Sequence, residues 1–201
     1  MADFSERVIA LSDAAWRMRQ ASAKPCGLPF ALALFSDADR LPPLEELASA
    51  LPEGIPPIAV IFRHDHLEAE ERIALAERVR KTVQGRGHLF LMARGVLAGA
   101  DGCHAYPEGE GIVTMPTHDE DEIVAAIMAG ADAGFLSPIH GTRSHPGREP
   151  LGRERAVALA QASPLPLFAL GGMNEVRAAE LEGTPFQGFG AIDAFAAGTD
   201  I

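Results

Sequence analysis

Short apolar runs recur at residues 30–35, 58–62, 88–91, 102–104, 111–114, 133–136, 165–170 and 188–192. Between them lie stretches in which apolar and charged residues alternate with helical spacing, clearest over 67–83, 119–129, 153–162 and 175–182. The short runs predict strands buried on both faces and the longer stretches predict amphipathic helices. Thr117 or His118 stands where a cap would open the second of these helices, and Asn174 where one would open the fourth. A further helix is predicted over 5–21, ahead of the first strand. Eight strands in alternation with helices predict an α/β fold, a (β/α)8 TIM barrel, which usually takes about 250 residues. The chain has 201, so a compact barrel with short helices is expected, as one domain over 1–201 with 1–29 as a helical extension. Only residues 193–201 follow the last strand, which leaves a shortened eighth helix. The first helix then reads as a lid over the amino-terminal end of the barrel, or as cover for the groove left by the eighth.

The segment 130–173 carries the most information, because it reads as strand, basic Gly- and Pro-rich loop, amphipathic helix, second apolar strand and Gly-Gly turn. That order is a βαβ unit. In a parallel barrel the loops after the strands' carboxyl ends hold the ligand, so residues 137–148 and the Gly171-Gly172 turn are expected to face one site.

The net charge of -11 argues against nucleic acid or an anionic membrane as a bulk partner, while leaving room for a local basic site. Two cysteines, Cys26 and Cys103, make neither a disulfide framework nor a zinc pattern, and Cys103 reads as core filling. A reducing cytoplasm is the expected location. The first residues place acids among apolar positions and lack the basic start of a signal peptide, and no apolar run is long enough to span a bilayer. Homo-oligomerisation is left open.

Six of the seven histidines, namely His64, His66, His104, His118, His140 and His145, fall at or just after predicted strand ends. They are therefore expected on the functional face, where imidazole serves as acid, base or ligand. His64 and His66 in FRHDH lack further ligands at a diagnostic spacing, and no metal site is assigned. For an anion the candidate cradle is Gly171-Gly172 before the helix capped by Asn174, with Gly188 and Gly190 in the last strand, since glycine lets backbone N–H groups approach a phosphate. The loop Thr142, Arg143, Ser144, His145 and Arg148 supplies hydroxyls and guanidinium groups for the same purpose.

Gly130-Ala131-Asp132, Ser137-Pro138-Ile139, the 141–145 loop, Leu151-Gly152 and Ala169-Leu170-Gly171-Gly172-Met173 follow one another as in the thiamine phosphate synthase and TenI tautomerase superfamily. The chain resembles that superfamily over about residues 30–195. The resemblance implies the barrel and a small phosphorylated thiamine precursor as ligand, with Thr142 and Ser144 at the anion-binding loop and His145 where the synthases have lysine. It also puts Arg63 at the one retained position of the second-strand substrate grip, where Asp65 replaces lysine, and His104 at a retained histidine of the fourth strand. Two acidic positions that hold magnesium in the synthases read Ala93 and Gly109 here, so magnesium is implied only if synthase chemistry survives with substitutes such as Asp65, Glu108 or Glu110. Where the superfamily has a small serine after the last strand, this chain has Asp193, whose carboxylate opposes a phosphate unless neutralised. The TenI tautomerases use a histidine after the fifth strand, and His118 matches it, which makes His118 the catalytic candidate.

The leading expectation is thus a divergent thiamine phosphate synthase/TenI-like barrel, a transferase or an isomerase, with a degraded magnesium-dependent site. A noncatalytic binding or regulatory barrel is the alternative. A hydrolase with metal held by His64, His66, His104 and His118 is the third reading.

Overall fold

The computed structural model of the protein describes residues 3–141 and 149–196. Helix α1 (Phe4–Ala21) precedes β1 (Leu32–Phe35), α2 (Leu44–Ala50), β2 (Ala59–Phe62), α3 (Ala69–Gly85) and β3 (Leu89–Ala93). Then come β4 (Gly102–His104), β5 (Ile112–Thr117), α4 (Glu120–Met128) and β6 (Ala133–Leu136). The chain continues through α5 (Gly152–Ala162), β7 (Leu167–Ala169), α6 (Glu175–Glu180), β8 (Phe189–Ala191) and a 3-10 turn, Asp193–Phe195. The strands pair in chain order and all in parallel, and β8 returns to β1 through Leu32 opposite Phe189, closing the barrel. No helix among the described residues is long and apolar enough to cross a membrane.

The strand runs match the apolar pattern because a parallel barrel buries both faces of each strand; β1 (LALF) and β2 (AVIF) are buried at every position. Inside the barrel an aromatic column rises from the closed end. Phe30 stacks on Phe168 at 5.1 Å, Phe168 meets Phe135 at 5.3 Å, and Phe135 meets Phe35 edge-on at 4.9 Å. His104 caps the column, edge-on to Phe35 at 5.3 Å. Gly190 makes room for it, since a Cβ there would fall 2.6 Å from Phe35 Cε2. Removing one buried ring of this column, as in Phe135→Ala, costs about 3–5 kcal/mol by lost burial and an unfilled cavity.

Compactness comes from short helices, α2 with 7 residues and α6 with 6, and also from missing ones. The segments 94–101 and 105–111 join β3 to β4 and β4 to β5 with no helix, being too short for a helix and two turns. Conversely, α2 was not foreseen, because its 7 residues give too little periodicity to read. Helix α4 opens at Asp119, whose side chain accepts from Glu122 N, and not at Thr117 or His118.

Helix α1 lies along the barrel wall rather than across its end. Its buried residues Val8, Leu11, Ala15 and Met18 recur with helical spacing and face α6, β1 and the 3-10 turn. Arg7 donates to Ala196 O at one end of the helix, while at the other Arg19 Nε donates to Gln187 O at 3.0 Å. The first helix therefore packs on the outside of the barrel against β1, α6 and the 3-10 turn that follows β8.

Candidate functional site

A cavity of about 810 Å³ opens at the carboxyl ends of the strands. The side chains reaching it follow from strand alternation. Beyond β2, Arg63 and Asp65 line the cavity, whereas His64 turns outward and stacks on Phe62 at 4.7 Å. His64 and His66 thus line a lateral cleft of about 330 Å³ with Asp37 and Asp39, which adjoins the cavity through Arg63, Asp65 and Arg94. The described strand-end histidines thus share the carboxyl-end face as expected, but only His104 and His118 of them line the cavity. Among the described residues no three His, Cys, Asp or Glu side chains are placed to hold a metal ion, which removes the basis for the hydrolase reading.

His104 sits at the cavity floor. Its Nδ1 is 3.0 Å from Thr114 Oγ1, and that hydroxyl donates to Cys103 O at 3.3 Å. Thr114 must then accept from Nδ1–H, so His104 Nε2 carries the lone pair. Burial, reinforced by the charges of Arg63 and Arg94, pushes the His104 pKa down to about 3, so the ring stays neutral. Around it Arg94 and Ala105 adopt φ of 52° and 55°, each strained for a residue with a Cβ, as β3 and β4 bend into the mouth. Their N–H groups still pair with the next strand, Arg94 with His104 O and Ala105 with Thr114 O, both at 2.8 Å.

His118 lines the same cavity just after β5. Its Nδ1 lies 2.6 Å from Glu122 Oε2, one turn along α4. The carboxylate fixes the proton on Nδ1 in the neutral ring, leaves Nε2 as the basic nitrogen, and would balance the charge of an imidazolium. Opposite the β2–β4 side, Gly171 and Gly172 turn out of β7 with φ of 96° and 64°. Added Cβ atoms would fall 2.8 Å from Pro138 Cα and 2.6 Å from Arg177 Nη1, so neither position admits a side chain without rearrangement. Arg177 donates to Gly172 O across this turn and also lines the cavity. Asn174 caps α6 as expected, accepting from Arg177 N at 3.0 Å.

Several expected contributors lie elsewhere. Gly190 is absent from the cavity wall because it packs on Phe35, and Gly188 abuts Ala31 O at the start of β8. His140 sits behind the Gly-Gly turn, half-buried, its Nε2 without a hydrogen-bond partner among the described residues; burial and then Arg177 lower its pKa. Thr142, Arg143, Ser144, His145 and Arg148 lie outside the described residues.

The structure adds an ion-pair chain that sequence reading missed. Asp193 is 3.3 Å from Arg40 Nη1, Arg40 Nη2 is 3.0 Å from Asp37, and Asp37 is 3.0 Å from Arg63 Nη2. Burial raises the Asp37 carboxyl, but hydrogen bonding and charge from Arg40, with Arg63, bring it below its ordinary value. The one readable signal was a basic residue, Arg40, shortly after the first strand. Asp193 thereby has a cationic partner.

The two positions that the resemblance gives to magnesium ligands, Ala93 and Gly109, carry no carboxylate. Ala93 lines the cavity without a ligating atom, and a Cβ on Gly109 would strike Cys103 Sγ instead of entering the mouth. Glu108 and Glu110 do not line the cavity. Asp65 has both oxygens engaged, Oδ1 by Arg72 at 3.0 Å and Oδ2 by Arg94 at 2.8 Å.

A family model described as thiamine monophosphate synthase matches residues 103–195. Thiamine-phosphate synthase of Thermosynechococcus vestitus is 28% identical over 185 residues, covering 84% of this chain and 50% of its own. The Mycobacterium sp. (strain JLS) thiamine-phosphate synthase is 31% identical over 137 residues, 59% of this chain and 60% of its own. The chain thus spans about half to three-fifths of the length of these two curated relatives. A thiamine phosphate pyrophosphorylase from Pyrococcus furiosus superposes with a TM-score of 0.67 at 21% identity, covering 83% of this chain and 88% of that one. The chain is similar in sequence to thiamine phosphate synthases, and its fold is that of the thiamine phosphate pyrophosphorylase. The segment that the family model matches runs from β4 to the 3-10 turn and so includes His104, His118 and the Gly171-Gly172 turn.

Proposed function

We propose that the chain is a member of the thiamine phosphate synthase and TenI superfamily that acts in thiamine biosynthesis or salvage by binding a phosphorylated thiazole and moving a proton on it, as an isomerase of the TenI kind. The observation that carries the reading is the His118–Glu122 pair, at 2.6 Å, opening on the same cavity as the Gly171-Gly172 turn. His118 Nε2 would take a proton from one carbon of an exocyclic-alkene thiazole; the electron pair shifts through the ring, and the imidazolium returns the proton to another carbon. Composition and charge are unchanged overall, so neither a metal nor a second substrate is required. Glu122 holds the ring and offsets its transient charge. The Gly-Gly turn brings backbone close to the ligand's anionic end without an intervening side chain.

The synthase reaction, in which the thiazole nitrogen displaces pyrophosphate from a pyrimidine diphosphate, needs a cation-binding carboxylate pair to hold the leaving pyrophosphate. Ala93 and the engaged Asp65 speak against it here. The test is incubation with the phosphorylated exocyclic-alkene thiazole while following conversion by NMR. Conversion by the parent protein that is lost in His118→Gln supports the isomerase. Tight binding with no conversion in either protein replaces it with a noncatalytic binding barrel.

A further inference from the structure

We propose that Ser36 and His64 are positioning residues for Arg63: His64, from the lateral cleft, orients the buried Ser36 hydroxyl, and that hydroxyl fixes the Arg63 backbone so that the guanidinium is aimed into the cavity. Only the last step, from a fixed Arg63 to a bound ligand, rests on the binding reading above.

Arg63 is tied to the two residues that follow β1. Its backbone N–H donates to Ser36 Oγ at 2.8 Å and its Nε to Ser36 O at 3.0 Å, while Nη2 meets Asp37 Oδ2 at 3.0 Å. Ser36 donates its own N–H to Ile61 O at 3.0 Å and is wholly buried. Water therefore does not replace a bond that Ser36 loses.

The Ser36 hydroxyl has one proton to place. Its oxygen accepts from Arg63 N–H, and among the described residues the acceptor within reach of its proton is His64 Nδ1, at 3.1 Å. In the neutral ring Nδ1 then carries the lone pair and Nε2 the proton. A ring with its proton on Nδ1 would donate to Oγ instead and leave the hydroxyl proton without an acceptor in a site closed to solvent. The surroundings favour the first state. Burial, followed by the positive neighbours His66, Arg72 and Arg63, lowers the His64 pKa against the opposing charge of Asp37, so the ring is neutral at neutral pH. Its plane is set by stacking on Phe62 at 4.7 Å, with the tilted His66 ring at 5.5 Å.

Arg63 lines both the cavity and the lateral cleft. A lost Ser36 bond frees the backbone just beyond β2 and lets the guanidinium turn toward the cleft, which removes a donor from the cavity wall. A residue that strand alternation points away from the cavity thus acts on it through its neighbour.

The experiment is NMR of the isotope-labelled full chain, with calorimetry against the phosphorylated thiazole. The neutral His64 ring should carry its proton on Nε2, and the Arg63 amide should be protected from hydrogen exchange. His64→Phe keeps the stack on Phe62 and removes the acceptor; the Arg63 amide should exchange faster and ligand affinity should fall about fivefold. His64→Asn puts an amide oxygen where Nδ1 stands and should restore both, which a residue that merely fills space would not. Ser36→Ala should match His64→Phe, and should it fail to fold, the two His64 variants still decide. A neutral ring protonated on Nδ1, or Arg63 exchange or ligand affinity indifferent to His64→Phe, overturns the proposal. So does a loss that His64→Asn fails to restore. An Arg63 amide that responds as expected in a protein that binds no phosphorylated thiazole overturns the thiazole reading and keeps the positioning role.

Discussion

The β7–β8 side of the mouth and the β2–β4 side are built from the same kinds of residue and are electrically unlike. On the β7–β8 side, backbone turns tightly through Gly171 and Gly172, and Arg177 stands without a carboxylate partner among the described residues. On the other, Arg63 and Arg94 are matched by Asp37 and Asp65, and the buried His104 is held neutral. An arginine in a pocket is thus not by itself an anion site. What decides is whether a carboxylate reached it first.

The largest expected effect concerns His118, which lies between the two sides. Replacing it by Gln removes the base while keeping a hydrogen-bonding side chain, and proton-transfer turnover should fall by about 10²–10⁴-fold with ligand affinity little changed. Affinity falling as steeply as rate would make His118 a binding residue instead.

His104 tests whether the β4 side stays uncharged. Its pKa of about 3 in the folded protein lies below the ordinary 6.5, so between these values the unfolded chain binds more protons than the folded one. Stability should therefore be full above about pH 6.5 and decline as pH falls toward 3, with a limiting slope of roughly 1.4 kcal/mol per pH unit from this group. Chemical denaturation across that range should show a shallower decline in His104→Gln; an identical slope would mean that the ring is protonated in the folded state.

Gly172→Ala probes the opposite side. A Cβ there would lie 2.8 Å from Gly141 O on a backbone with φ of 64°, so about 1–2 kcal/mol of stability should be lost, along with phosphate affinity. Unchanged melting and binding would show that the turn is not held in this conformation. The smallest effect is expected at Asp193→Ser. Freeing Arg40 from one carboxylate should tighten phosphate binding by about 1 kcal/mol, measured by calorimetry. No gain would place the anion out of Arg40's reach.

Much of the fold was legible because strands buried on both faces stand out as apolar runs, and β1, β2 and β6 lie where those runs predicted. The missing helices after β3 and β4 were hidden, since loops and short helices share polar composition. Within the site, the end of β7 and the segment after β5 could be read from local pattern. His64 could not, because a strand end alternates its side chains and one residue decides between cavity and outer wall. The ion pairs were also out of reach: Arg40 and Asp193 are separated by 153 positions, and only closure of the barrel joins the ends of β1 and β8.

The most direct measurement is NMR of the phosphorylated exocyclic-alkene thiazole in D2O with the purified protein, with and without a metal chelator. The expected result is conversion to the aromatic isomer with deuterium at the carbon that gains the proton, indifferent to chelation and absent in His118→Gln. Failure to convert or exchange, together with chelator-sensitive joining of thiazole phosphate to a pyrimidine diphosphate, would contradict the account.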